Sequence, residues 1–280
     1  MTALSAFLED RGVLRVSGDD APVFLQGLVT NDVGSLAPGA ACYSALLSPQ
    51  GKLLFDFIVQ RESGEPASFL LDCAADQAAA LATRLGFYRL RAKVRIEDLS
   101  SELGVGAFWG GEPDAKLPGA AFPDPRDPRL GFRAILPRPA ATALGAAAVA
   151  AYEAHRIALG VPKGGADFSY GDAFPHDVNM DVLHGLDFDK GCYVGQEVVS
   201  RMRHRANLRK RIVRVSFKGT APTPGTPVLD GEMPVGLLGS AAGGIALAQM
   251  RIDRAEDARA AGRSLSASGL PVEVMDAGAP

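Results

Sequence analysis

The stretch from Asp189 to Glu197 carries the residues of this sequence best suited to chemistry. It reads DKGCYVGQE, in which two glycines flank a cysteine and a tyrosine and so permit a sharp turn and the close approach of a ligand. Lys190 precedes Cys192 by two residues, and further basic residues begin at Arg201. Positive charge near a thiol favours the thiolate, which is the form that attacks electrophiles and binds metal ions. Cys192 with Lys190 is therefore the candidate reactive centre.

A buried structural cysteine is the competing interpretation of Cys192. Cysteine is among the residue types most often buried, and local composition alone favours this interpretation. The chain has two other cysteines, at positions 42 and 73. Three widely spaced cysteines suit a reducing compartment better than a disulfide framework, and they are too few for a four-cysteine zinc or cluster site within one chain.

Composition limits the class of protein. The chain has 280 residues, 47% hydrophobic and 22% charged, with a net charge of −3, which is typical of a soluble globular protein and excludes a generally basic protein that coats nucleic acid. The first residues show no secretory signal, and no run approaches the roughly 18 apolar residues of a membrane span. We therefore expect a cytoplasmic protein without membrane contact.

Strand and helix patterns alternate without a regular βαβ repeat, which predicts an α+β fold. A helix with Asp19 or Asp20 as its cap and Pro22 in its first turn is predicted. Its inner face would carry Val23, Phe24, Gly27 and Leu28. Residues 41–47 and 53–60 flank a turn and predict a hairpin. Other predicted elements are strands at 11–16, 68–73 and 92–97, helices at 75–86 and 140–158, and a Pro- and Gly-rich connection over 110–129. Five short strands after residue 210 predict a small C-terminal β-barrel or sandwich.

The motif K-G-C-Y-x-G-Q-E, from Lys190 to Glu197, resembles the signature of the YgfZ family. Four other segments resemble family motifs and occur in the family's order. They are FLQGLVTND at 24–32, PQGKLLFD at 49–56, PHDVNMD at 175–181 and the basic RKR at 209–211. The resemblance thus spans nearly the whole chain.

This resemblance implies the fold of the glycine-cleavage T-protein, with ferredoxin-like α/β parts around a central folate pocket and a C-terminal β-barrel. Residues 1–205 would form the folate-binding region, as two interleaved subdomains with a boundary near 100–140, and 206–280 the barrel. It also implies a protein that binds tetrahydrofolate or a derivative and serves the assembly or repair of iron–sulfur enzymes, including those that modify tRNA. Its partners would be such enzymes or cluster carrier proteins.

Two acidic residues are the most informative positions carried over from the family. Asp177 occupies the glutamate position that holds the pterin, where two oxygens can accept from adjacent donors, although Asp is one methylene shorter. Asp177 could instead cap a turn before Asn179. Asp56 lies where T-proteins carry two adjacent carboxylates. Phe55 replaces the other carboxylate of the pair in this sequence, and the sequence does not decide which face of the strand Asp56 occupies. The full set of expected folate contacts is Asn31, Asp56, Asp177, Tyr193, Gln196 and Arg209.

Two further functions remain open. One is an aminomethyltransferase of glycine cleavage, which the loss of one hairpin carboxylate disfavours. The other is a folate- or RNA-binding module without chemistry at Cys192. Residues 201–214 hold seven basic residues and no acid, which suits either a solvated face or an anionic partner such as the folate tail. Because this run has no aromatic residue on which bases could stack, direct nucleic-acid binding is disfavoured.

Overall fold

The computed structural model describes residues 3–119, 121–145, 148–204 and 209–275. Within them the chain forms fifteen strands. These are β1 (Leu4–Phe7), β2 (Arg11–Ser17), β3 (Ala41–Leu47), β4 (Leu53–Arg61), β5 (Phe69–Ala74), β6 (Arg95–Asp98), β7 (Leu103–Trp109), β8 (Ala121–Pro123), β9 (Phe132–Pro137), β10 (Lys210–Phe217), β11 (Pro227–Asp230), β12 (Met233–Ala242), β13 (Ile245–Arg251), β14 (Leu265–Ala267) and β15 (Leu270–Val274).

Six α-helices accompany the strands in the same residues. They are α1 (Ala21–Gln26), α2 (Ala78–Arg89), α3 (Arg138–Ala143), α4 (Val149–Ala158), α5 (Gln196–His204) and α6 (Ile252–Ala260). The single helix predicted over 140–158 is therefore two helices. Gly145, which follows α3, adopts a φ of +77°, a left-handed conformation that an α-helix does not continue through.

The predicted hairpin belongs to a five-stranded antiparallel sheet with the order β3-β4-β5-β2-β6. Alternate residues of its strands, such as Phe55 and Phe57, share one face and pack with Leu25 and Leu81 of α1 and α2 in a single apolar core. The expected inner face of α1 was wrong in part, because Val23 is 78% exposed. The residues of this helix that are buried are Ala21 and Leu25.

A second sheet of four antiparallel strands has the order β1-β7-β9-β8. Its strands at 4–7, 103–109 and 132–137 were not predicted, and β8 lies within the segment expected to be a connection. Phe7 and Phe108 pack against α3 beside this sheet. The two sheets confirm a mixed α and β architecture.

The C-terminal strands form a closed barrel in the order β10-β13-β12-β11-β14-β15. Its interior is filled by alternating residues such as Val215, Val235 and Met250, and α6 adds Ala255 and Ala258 to the same core. Full closure pairs every strand and leaves no open sheet edge. This confirms the predicted barrel.

Residue contacts divide the chain into two units. The first unit comprises residues 1–152 and 183–196, and the second comprises 153–182 and 197–280. The second unit thus joins the barrel to a preceding segment that the sequence analysis had placed in the region 1–205. Among the described residues, no helix combines the length and apolar character needed to cross a membrane.

Candidate functional site

Cys192 is exposed, whereas the other two cysteines are buried. Burial raises the pKa of the Cys42 thiol to about 12 and that of the Cys73 thiol also to about 12. At neutral pH these two side chains are therefore neutral thiols within the core, which is the inert form. The interpretation of Cys192 as a buried structural residue does not hold.

Cys192 lies in a segment of the first unit, residues 185–195, that we call the Cys192 loop. Lys190 anchors this loop, because its Nζ donates to the carbonyl oxygens of Gln26 at 2.8 Å and Val29 at 2.6 Å, just beyond the end of α1. A cation suits this position, since the last carbonyls of a helix lack partners and carry partial negative charge. Desolvation lowers the pKa of Lys190 to about 8, although neighbouring acidic groups oppose that shift. Lys190 thus fixes the loop, and its expected role in activating Cys192 stays a prediction.

Gln26 completes a reciprocal link with Lys190. Its Nε2 donates to the Lys190 carbonyl oxygen at 3.2 Å and to Asp32 Oδ1 at 2.9 Å. Its Oε1 accepts from the backbone N–H groups of Val33 and Gly34, each at 3.0 Å. One side chain therefore determines both the turn that follows α1 and the residue two positions before Cys192.

The beginning of the Cys192 loop is held by the same turn. Thr30 Oγ1 donates to the Gly185 carbonyl at 2.7 Å, and the Asp187 N–H donates to the Thr30 carbonyl at 3.0 Å. Asn31, an expected folate contact, donates through Nδ2 to the carbonyls of Tyr43 at 2.7 Å and His184 at 2.6 Å. In this structure Asn31 therefore joins strand β3 to the residue that directly precedes the loop.

Two glycines flank Cys192 and differ in their surroundings. Gly191 has a φ of +97° and faces open space, with no atom of the described chain within 4 Å of an added Cβ. Gly195 has a φ of +82°, and an added Cβ would lie 2.6 Å from the Ser48 carbonyl oxygen and 3.1 Å from Gly51. Gly195 therefore lets the end of the loop lie directly against the turn between β3 and β4.

Tyr193 turns inward where Cys192 turns outward. Its ring is 7% exposed and lies 5.3 Å from Lys190 Nζ, within the range of a cation–π contact. Burial raises its pKa to about 12, and its hydroxyl has no hydrogen-bond partner among the described residues. Gln196, another expected contact, is half-buried at the start of α5. A buried hydroxyl without a partner in the protein is unusual and fits an external acceptor.

Asp56 occupies the face of β4 opposite Phe55, which settles the orientation left open by the sequence. Phe55 belongs to the apolar core under the helices, whereas Asp56 is buried on the other face and accepts from the Tyr43 hydroxyl at 2.9 Å. It neighbours a group of buried charges in the first unit. We call this group the arginine–aspartate network and define it as Arg11, Asp72, Asp124, Arg126 and Arg133.

The network connects the two sheets of the first unit. Arg133 on β9 donates to Asp72 on β5 at 2.5 Å and to Asp124 at 2.8 Å, while Arg11 and Arg126 bind the same two carboxylates. Burial acts to raise the pKa of Asp124, but the guanidinium groups of Arg126 and Arg133 overcome it and hold the pKa well below its ordinary range. All five side chains are paired, so the network supports the fold rather than offering a free catalytic acid.

In the second unit, Asp177 accepts a hydrogen bond from the Phe174 N–H at 3.2 Å. This is the turn-capping contact weighed as the alternative to ligand binding, and the ligand role of Asp177 stays a prediction. Asn179 follows in a left-handed conformation, with a φ of +65°, and donates to the Ile212 carbonyl at 2.7 Å. The segment resembling the family's pterin-binding motif is thus attached to the first barrel strand.

The basic run is partly used within the protein. Arg211 binds Asp181 through two hydrogen bonds of 2.5 and 2.7 Å, Arg214 donates to the Ala158 carbonyl at 2.6 Å, and Arg201 pairs with Glu197. Arg209 is exposed. Arg205 lies outside the described residues. The count of seven cations therefore overstates the charge available to an anionic ligand.

Sequence reasoning missed Gln26 and Arg133, the two residues that organise the loop and the network. Gln26 lay within a quoted motif, but its partner Lys190 is 164 residues away, so nothing local indicated their contact. No group of His, Cys, Asp and Glu side chains within the described ranges could hold a metal ion. Cys192 is consequently a single exposed thiol on a positioned loop.

Sequence comparison relates the chain to proteins of known classification. Residues 209–277 match the family described as the CAF17 C-terminal β-barrel domain. The human protein called iron–sulfur cluster assembly factor IBA57, mitochondrial, is 35% identical over 269 residues, covering 86% of this chain and 75% of that protein. The IBA57 homologue of Mycosarcoma maydis is 37% identical over 245 residues, but the chain spans only 60% of its length. Both relatives are mitochondrial proteins, which contradicts the expected cytoplasmic location.

Structural comparison identifies the fold. The crystal structure of glycine cleavage system aminomethyltransferase T from Bartonella henselae superposes with a TM-score of 0.75, covering 98% of this chain and 85% of that one. The identity is 18%, so the likeness concerns the fold alone. The T-protein-like fold with a C-terminal β-barrel that the sequence predicted is confirmed.

Proposed function

Because the chain belongs to the family of the iron–sulfur cluster assembly factor IBA57, we propose that it acts in the assembly or repair of iron–sulfur proteins. We place it in the wider YgfZ group and take its clients to include cluster-containing enzymes that modify tRNA. The observation that carries the proposal is the contrast between its cysteines. One thiol is exposed on a loop fixed at both ends, and the other two are buried.

The role that we propose for Cys192 follows from the absence of a second exposed cysteine in this chain. Iron–sulfur clusters are held by several thiolates, and a lone cysteine can contribute only one ligand. No second cysteine is exposed in this chain, so the remaining ligands would come from a carrier or client protein. Cys192 would therefore act at an interface, as one ligand to a cluster that is passed on or repaired.

The test is to replace Cys192 with Ser in the producing cell and to assay cluster-containing enzymes. We expect their activities to fall to the level of a deletion strain, because the serine hydroxyl is a poor ligand for iron in such clusters. Cys42→Ala is the matched control and should retain activity where the protein accumulates. Full activity with Cys192→Ser would contradict the proposal.

Alkylation of the folded protein should also modify Cys192 and spare Cys42 and Cys73.

Tetrahydrofolate or a derivative is the cofactor that we propose for this site. The buried Tyr193 hydroxyl, which has no partner among the described residues, fits a ligand that supplies an acceptor. Tyr193 would donate a hydrogen bond to this ligand, and the expected roles of Asp177 and Arg209 in folate binding stay predictions from the family resemblance. When bound, the folate supplies a carrier for one-carbon units.

Thermal unfolding tests this cofactor. Saturating tetrahydrofolate should raise the unfolding midpoint, since a ligand that binds only the folded state stabilises it. Tyr193→Phe retains the ring and removes the hydroxyl, and it should reduce the shift by the equivalent of about 1 kcal/mol. Phe188→Leu serves as a packing control in the same loop. The absence of any shift with the wild-type protein would contradict folate binding and leave the Cys192 proposal intact.

Aminomethyl transfer is the second candidate, and the structure offers little support for it. Asp56 is the remaining member of the hairpin carboxylate pair, and it is buried and bound by the Tyr43 hydroxyl. We therefore propose that the purified protein does not release ammonia from an aminomethylated lipoyl carrier. Steady turnover in that assay would reverse the order of the two candidates.

A further inference from the structure

The outer face of α2 is exposed to solvent and yet has little polar character. The inner face contributes Leu81 and Leu85 to the core, as expected of a surface helix. The outer face carries Ala79, Thr83 and Gly86, and the Thr83 hydroxyl donates to the Ala79 carbonyl at 2.9 Å, so its polar atom is satisfied within the helix. A helix that faces only water normally presents charged and polar side chains there. This face is therefore suited to contact with another molecule.

Two large apolar side chains stand at the C-terminal end of the same face. Phe87 is 70% exposed, and Leu90, which directly follows the helix, is 88% exposed. Leu90 also has a φ of +44°, a conformation that is rare for a bulky residue and costs free energy. Clustered, solvent-exposed apolar side chains are typical of protein-binding surfaces.

Gly86 provides a separate indication. It lies in the interior of α2, where glycine is less favourable than alanine for a helix. An added Cβ would meet no atom of the described chain within 4 Å, and no positive φ is recorded for it. Neither space nor backbone conformation within the chain requires glycine at this position. Close approach of a partner's backbone would require it.

The chain segment that forms α2 and leads to β6 is basic. Between residues 78 and 96 the sequence contains five basic residues and no acid. Lys93 and Arg95 pair with Asp19 and Glu97. The guanidinium groups of three others have no carboxylate partner in the part of the chain that the structure describes, and these are Arg84, Arg89 and Arg91. An acidic surface would complement this basic edge.

We propose that the outer face of α2 is a docking surface for an amphipathic helix of an acidic partner protein. The small residues let a helix axis approach closely, Phe87 and Leu90 supply apolar anchors, and the arginines meet carboxylates that flank the partner's apolar stripe. A lipid surface fits less well, because the small residues of this face would insert little apolar area and the chain carries a net charge of −3. No residue of the Cys192 loop belongs to this surface.

A designed peptide of about 20 residues, with leucines on one helical face and glutamates beside them, is a suitable probe. The full chain should bind it at low salt in a fluorescence anisotropy titration. Phe87→Ser combined with Leu90→Ser should weaken binding about ten-fold, and Arg89→Glu combined with Arg91→Glu by a similar factor. Met233→Ser, at an exposed methionine of the barrel, is the control and should bind as the wild type does.

Gly86→Ala distinguishes a docking role from a structural one. Alanine should raise the thermal unfolding midpoint, because it favours the helix, and should lower peptide affinity, because its methyl group obstructs close approach. Unchanged affinity in both this variant and the Phe87–Leu90 double variant would overturn the proposal. Tight binding to phosphatidylglycerol vesicles that requires the same residues, with no binding of the peptide, would overturn it in favour of a lipid surface.

Discussion

The Cys192 loop and the arginine–aspartate network are both polar regions of the first unit, but they are held together in opposite ways. In the network, side-chain charges bind one another, and each guanidinium and carboxylate is occupied. In the loop, side chains bind backbone atoms, as Lys190 and Gln26 do, and the Cys192 thiol is left exposed. The described contacts of Lys190 and Gln26 therefore position the loop without involving the Cys192 thiol.

Asp56 and Cys192, two residues that the family motifs single out, belong to opposite sides of this comparison. Asp56 lies beside the network, is buried and accepts a hydrogen bond from Tyr43. Cys192 lies on the loop, and its side chain is exposed to solvent. The same unit thus combines a buried, fully paired charge network with an exposed thiol. Four variants test this division.

Removing a network cation should have the largest effect on stability. Arg133→Met leaves Asp72 and Asp124 each short of one partner inside the protein, and breaking a buried pair in this way costs about 3–5 kcal/mol. Urea unfolding measures the loss. Arg129→Met is the control, because that guanidinium is 67% exposed and should contribute less than about 1 kcal/mol. Equal losses of unfolding free energy in the two variants would show that the buried network stabilises the protein no more than the exposed ion pair of Arg129 does.

Gly195→Ala should be the most damaging change in the loop. The new Cβ would approach the Ser48 carbonyl oxygen to 2.6 Å, and the residue would also carry the strain of its φ of +82°. We expect a loss of about 2–3 kcal/mol in urea unfolding. Gly191→Ala has a similar φ but faces open space, so it should lose only about 1 kcal/mol. If Gly191→Ala were the more destabilising, packing against the hairpin would not be what fixes the loop.

Gln26→Met should loosen the loop at a moderate cost. It preserves length but removes the acceptor of two backbone N–H groups and the donor to the Lys190 carbonyl, for a loss of about 1–2 kcal/mol. Hydrogen exchange over residues 185–195 should accelerate, while exchange in β5 stays slow. Gln50→Met, on the exposed hairpin turn, is the control. Unaltered exchange in the loop would mean that Gln26 does not position it.

Lys190 should add a small pH dependence to the free energy of unfolding. Desolvation lowers its pKa from the ordinary 10.5 to about 8 in the folded protein, so the unfolded chain binds more protons between these values. The cost of burying the ammonium is present below pH 8 and is relieved as the pH rises towards 10.5. The stability of the wild type relative to Lys190→Met should therefore rise by about 1 kcal/mol between pH 7.5 and 9, the carbonyl contacts offsetting part of the shift. A fall over that interval would contradict this assignment.

Several local features of this protein could be predicted from its sequence, and the fold could be predicted through the family motifs. The hairpin at 41–60 and α1 follow from turn residues and alternating apolar patterns, which act over a few residues. The same patterns left the C-terminal strands as a barrel or a sandwich, and the family resemblance favoured the barrel that the structure shows. The structure exposes Cys192, the residue at the centre of the longest motif, and its reactivity stays a prediction. The expected location in the cytoplasm was wrong, because composition and motifs of this kind do not specify a compartment.

Tertiary structure decided what depends on contacts between distant residues. The strand at 4–7 pairs with the strand at 103–109, and no short sequence window contains both. The face of β4 occupied by Asp56 depends on the register of the whole sheet, since neighbouring residues of a strand face opposite sides. The role of Gln26 required residues 164 positions apart to meet. Sequence patterns report local preference, whereas burial and hydrogen-bond pairing exist only once the chain has folded back on itself.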